Sequence, residues 1–163
     1  MKNWRTLSLA VALSAGLTFS GVTRAEDWKP VGTHAWFAVG KAYEINKGHF
    51  YWLGEFSGTF LSDQGEKGLF DRAGVKCPSW FDNDLNTKKV MLGGICVIAD
   101  SDGDQAYVVW QGEGTPGQVI PVTGQFTGGT GKYKEIKGTM NNHGYPSINW
   151  SDGTSSGYAT WNR

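Results

Sequence analysis

Phe126-Thr127-Gly128-Gly129-Thr130-Gly131-Lys132-Tyr133, continuing as Lys134-Glu135-Ile136-Lys137-Gly138-Thr139, is the stretch on which the fold of this chain turns. Glycine at 128, 129 and 131 opens backbone conformations that other residues avoid. The chain can turn sharply there and bring Tyr133 and Ile136 back into a core. A glycine-rich segment with lysines also suggests a phosphate cradle. That chemistry needs a helix N-terminus to aim amides at the anion and, in a P-loop, a Gly-Lys-Ser/Thr ending. Here Tyr133 follows Lys132 and no helical pattern comes after it. The segment therefore reads as a turn between strands.

Working outward, strands separated by glycine turns appear on both sides. Residues 119–126 precede the motif; 133–141 and 154–161 follow it. Residues 90–99 and 105–111 flank the turn Ser101-Asp102-Gly103-Asp104, the clearest hairpin in the chain. Further upstream, residues 31–39 and 41–45 lead to the hairpin signal Asn46-Lys47-Gly48. Residues 49–61 form a long aromatic strand interrupted by Gly54 and Gly58, and glycines of this kind mark the bends of a closed barrel. Residues 62–68 read as a polar loop and 69–75 as a short strand. Residues 77–88, with Pro78 and Asp82-Asn83-Asp84, read as irregular. No segment after residue 25 carries sustained helical periodicity with caps. About seven to nine short strands predict one all-β domain, a sandwich or an antiparallel barrel.

Gly-Gly-Thr-Gly-Lys-Tyr followed five residues later by Gly138 resembles the motif shared by plant dirigent proteins, allene oxide cyclases and bacterial proteins like them. The resemblance covers residues 126–139. It implies a single antiparallel eight-stranded calycin-like β-barrel over residues 26–163, with the motif joining two late strands. In those families the barrel holds a hydrophobic small molecule. Dirigent proteins steer the coupling of phenoxy radicals, and the cyclases close an epoxide-derived fatty-acid ring. Their cavity residues are not carried over, because the strands bearing them have no match here. Fold does not dictate function.

The N-terminus carries a second signal. Met1-Lys2-Asn3-Trp4-Arg5 is positive, residues 7–19 are mostly apolar and uncharged, and Thr23-Arg24-Ala25 ends the stretch with small residues. That is the pattern of a cleavable export signal over residues 1–25, too short in its apolar part for an anchor. A secreted or periplasmic protein without membrane insertion is expected. The whole chain has 15 basic and 15 acidic residues. Lys2, Arg5 and Arg24 leave with the signal, so the domain has 12 against 15, a net charge of about −3. That balance argues against nucleic acid or an anionic membrane as partner. Cys77 and Cys96, the only cysteines, would meet an oxidising compartment and pair as a disulfide. Closing that loop contributes about 3 kcal/mol in the chain-entropy model. The alternative, a metal or redox pair, lacks a CxxC motif.

Seven of the eight tryptophans follow residue 25. Their default use is core filling, but an eight-stranded barrel can also hold one small ligand. Trp36, Trp52, Trp110 and Tyr133 are the candidate ligand-binding residues, with a small apolar or aromatic molecule as partner and no cofactor. Glu44, Glu55 and Glu113 lie in predicted strands. Any that faced a lumen would have a raised pKa and suit acid–base chemistry of a cyclase or isomerase. Solvent-facing positions are their default. Asp100, Asp102 and Asp104 resemble the start of a calcium loop. Gln105 stands where the glycine belongs, however, and Gln111 where the bidentate glutamate belongs. His34, His49 and His143 are too scattered to specify zinc. No Gly-x-Ser-x-Gly elbow occurs. Non-catalytic binding in the barrel is the leading expectation. A cyclase-like enzyme and a solid-barrel interaction protein are the alternatives.

Overall fold

The computed structural model describes residues 29–162 apart from Ser151. The export signal read at residues 1–25 lies outside the described residues. The eight strands are β1 (Gly32–Asn46), β2 (His49–Ser62), β3 (Gly74–Asp84), β4 (Lys89–Ala99), β5 (Gln105–Gly114), β6 (Ile120–Gly129), β7 (Thr139–Asn149) and β8 (Ser155–Trp161). Each pairs antiparallel with the next, and β8 returns to β1, with Gly32 opposite Trp161. The result is a closed up-and-down barrel with no free sheet edge among these strands.

Closure works because side chains alternate between lumen and solvent. The pattern is cleanest in β6, where Ile120, Val122, Gly124 and Phe126 are buried and the residues between them are exposed. The same parity sends His34, Trp36 and Ala38 of β1 inward. It also leaves Phe37 and Val39 on the outer surface.

The strand pattern differs from the sequence expectation in three places. Residues 77–88 read as irregular, but Gly74–Asp84 is a regular strand. Pro78, which cannot donate to a ladder, leaves the β2–β3 register continuous, with Glu55 opposite it, and interrupts the β3–β4 register. The β3–β4 register runs to Lys76↔Val97 and resumes at Ser79↔Gly94, and between these pairs the Cys77–Cys96 disulfide joins the strands. Residues 69–73, expected to open a strand, are a loop whose Phe70 and Arg72 adopt positive φ. Tyr133 lies in a short 3-10 turn, Gly131–Tyr133, and β7 starts only at Thr139.

The connections give the barrel two unlike ends. Residues 62–73 and 130–138 are long, and both cover the end where β1 begins. Phe70 packs on Phe126 and Tyr133, with ring centroids 5.9 and 5.0 Å apart. Ile136, Phe60 and Trp161 complete this core. At the opposite end, Lys47 and Gly48 alone join β1 to β2, and little covers the lumen.

Candidate functional site

The open half of the barrel encloses a cavity of about 410 Å³. Its wall is aromatic because inward-facing positions on neighbouring strands carry rings. Phe56 of β2 is the centre of that wall. Trp36 meets it edge-on at 4.8 Å, and Trp52 and Phe81 lie 5.4 and 5.6 Å away. Trp110 reaches it from β5 at 6.5 Å.

Two glycine sites make room for these rings. Gly40 and Gly54 face each other across β1 and β2, and the Trp52 ring lies against both. A Cβ at either position would overlap that ring. Gly157 of β8 does the same for Trp36. Gly54 inside β2 is therefore a seat for the wall as much as a bend of the strand, whereas Gly58 makes room for the Ala35 backbone.

The floor of the cavity is more polar. His34 is 5% exposed, meets Trp161 edge-on at 6.0 Å, and its Nε2 has no hydrogen-bond partner. Burial pushes its imidazole down to about 4, so the ring is neutral at physiological pH. Beside it, Asn142 takes the amide orientation in which its oxygen accepts from Trp161 Nε1 at 3.2 Å and its nitrogen donates to the Asn141 carbonyl at 3.0 Å. Higher on the wall, Trp110 Nε1 is also buried without a hydrogen-bond partner, as is Asn83 Oδ1 towards the mouth. Apolar walls with a few placed polar groups are the usual composition of a small-molecule site.

The disulfide belongs to this wall. Cys77 and Cys96 are buried cross-strand neighbours with Cα atoms 4.1 Å apart, and both line the cavity.

The sequence candidates divide into two groups. Trp36, Trp52 and Trp110 line the cavity. Tyr133 does not: it sits in the plug at the closed end, so its assignment to a ligand is corrected. Its hydroxyl bonds Asp100, and burial, with that carboxylate, raises the phenol to about 12. Glu55 and Glu113 are on the outer surface, 3.2 Å from Lys76 and 3.6 Å from Lys89. Glu44 is exposed near the β1–β2 turn, where its carboxylate accepts from the Gly48 amide. No Asp, Glu, Lys, Arg or Tyr lines the cavity among the described residues.

The aspartates of the calcium-like turn are engaged by a lysine. Lys132 extends its ammonium to Asp100 at 2.5 Å and Asp102 at 2.8 Å. Asp104 accepts from the Lys132 backbone amide at 3.1 Å. A lysine from the glycine motif thus stands where a cation would have to sit. Burial works against ionisation of Asp100, but hydrogen bonds from Lys132, Tyr133 and the Asp102 backbone outweigh it and hold the carboxyl below its ordinary value. The two carboxylates in turn raise the Lys132 ammonium. These contacts tie the β4–β5 turn to the glycine motif.

No protein-family model, curated protein or solved structure matches this chain. The site must be read from its own residues.

His34, Phe56, Phe81, Asn83 and Asn142 went unremarked as cavity residues in the sequence. Parity was the available signal for two of them. His34 lies two residues before Trp36 and Phe56 four after Trp52, so each shares a face with a ring already singled out. Phe81 and Asn83 were hidden because their strand was read as irregular.

Proposed function

We propose that this chain is an exported protein that binds one small apolar or aromatic molecule in the open half of its barrel, without transforming it. The observation that carries this is the aromatic-walled cavity of about 410 Å³ with no carboxylate, lysine, arginine or tyrosine on its described wall. A volume of that size suits a ligand of a few fused or linked rings. The wall rings offer dispersion and edge-to-face contacts without needing to move apart. Export is supported by the leader-like residues 1–25 and by the disulfide, which is at home in an oxidising compartment. The glycine motif adds its resemblance to families whose barrels hold hydrophobic molecules.

Titration with 1-aminoanthracene, a neutral aromatic fluorophore, tests this reading. Saturable one-to-one binding is expected, lost when Trp52→Ala and Trp36→Ala are combined. A wild-type protein that neither binds the fluorophore nor carries a small molecule in native mass spectra, as recovered after export, would overturn it.

A further inference from the structure

The polar atoms of the cavity say more about the occupant than its apolar walls do. Three residues that line the cavity, His34, Trp110 and Asn83, each carry a buried polar atom (Nε2, Nε1 and Oδ1) without a hydrogen-bond partner in the protein. An unpaired buried polar group costs about 1–3 kcal/mol, so a native fold retains several at one site only for a reason. All three belong to residues of one cavity. His34, at the floor, is the deepest and the most enclosed.

The charge inventory narrows the class further. Among the described residues the cavity wall carries no Lys or Arg to neutralise an anion and no Asp or Glu to neutralise a cation. With the cavity empty, burial keeps His34 neutral, so charging it to meet an anion would add to the cost of binding. An ionised ligand would be desolvated without a counter-charge, which is far more costly than burying a neutral polar group.

We infer that the natural ligand is an uncharged ring compound bearing a hydroxyl, inserted hydroxyl-first so that this group bonds His34 at the cavity floor. A hydroxyl both donates and accepts, so it satisfies Nε2 in either imidazole tautomer. The rings then lie among Trp36, Trp52 and Phe56. A second, acceptor group on the ligand would meet Trp110 Nε1, which can only donate. This inference rests on the binding function proposed above and specifies its ligand class.

Three probes sharing one ring system test it: 2-naphthol, naphthalene and 2-naphthoate. Binding is followed at neutral pH by NMR, through the Trp110 indole N–H and the His34 ring protons. The naphthol should bind about fivefold to tenfold more tightly than naphthalene, the effect of one buried hydrogen bond. The naphthoate should bind at least about tenfold more weakly than the naphthol, because its charge finds no partner. In His34→Phe the ratio of naphthol to naphthalene affinity should fall to about one, and a cooperative urea unfolding transition shows that the variant is folded.

The failures are distinguishable. Naphthoate binding as tightly as naphthol, or a naphthol preference that survives His34→Phe, overturns the ligand class and leaves the binding function standing. If none of the three binds, the inference falls together with the binding function.

Discussion

The two ends of this barrel share eight strands and one alternation of side chains, and they differ in what the connections between strands bring. At the closed end, residues 62–73 and 130–138 fold back over the lumen and deliver Phe70, Tyr133 and Ile136 into it. Charged and polar groups pair there: the Lys132 ammonium lies 2.5 Å from Asp100 Oδ2, and the Tyr133 hydroxyl bonds the same carboxylate. At the open end the turns are short or carry small residues such as Gly117 and Gly153 at the rim. The buried cluster there comprises Val90, Leu92, Ile120 and Val122 among the described residues, and beside it Trp110 Nε1 and Asn83 Oδ1 lack partners. The comparison teaches that a sheet closed on itself leaves its interior undecided. Plugs come from loops, and a lumen left without a plug is available for a ligand.

The sharpest way to break this contrast is to remove the plug. Phe70 is 3% exposed and bridges Phe126 and Tyr133. Phe70→Ala should cost about 3–5 kcal/mol by urea unfolding, while the fraction that stays folded keeps its affinity for 1-aminoanthracene. A cost near zero would mean the closed end is not the stabilising one.

The disulfide lies at the boundary between the two ends. It closes a separation of 19 residues, so replacing both cysteines with alanine should cost about 3 kcal/mol. Unchanged stability would show that the Cys77–Cys96 staple is dispensable once the barrel has closed.

Acid should weaken the barrel at the cavity floor, through His34. Its pKa is near 4 in the folded protein against 6.5 as the reference value. Above pH 6.5 the imidazole is neutral in both states and has no effect. As pH falls from 6.5 towards 4 the unfolded chain gains the proton first, so stability declines, by about 3 kcal/mol in total. His34→Phe should flatten the stability profile across that window. A wild-type profile already flat there would show that the imidazole finds a partner.

The smallest effect belongs to the polar latch of the plug. Tyr133→Phe deletes the hydroxyl that bonds Asp100 and leaves the ring packing intact, so a loss of about 1 kcal/mol is expected in urea unfolding. A loss as large as that of Phe70→Ala would mean that the latch, rather than apolar packing, holds the closed end.

Much of this was legible in the chain before folding. The hairpins at Asn46-Lys47-Gly48 and Ser101-Asp102-Gly103-Asp104 could be read because a tight turn is encoded by its own residues. Strand β3 could not, since Pro78 and Asp82-Asn83-Asp84 are poor strand formers that pairing with β2 and β4 overrides. Trp36, Trp52 and Trp110 stood out as rings on strands. Tyr133 stood out for the same reason and proved to be plug, because its destination depends on the path of residues 130–138.

By itself the sequence determined what local chemistry decides: glycine turns, two-residue alternation, an all-β chain, and two cysteines with only each other to pair with. The tertiary structure decided which end of the barrel is filled and which is open. It also decided that Lys132 meets the aspartates of the 100–104 turn and that His34 faces a cavity without a hydrogen-bond partner. These outcomes depend on residues far apart in the chain meeting across a closed sheet. His34 and Ala159 are 125 positions apart, yet they are paired across β1 and β8. No local pattern records such a meeting, because it exists only once β8 has closed on β1.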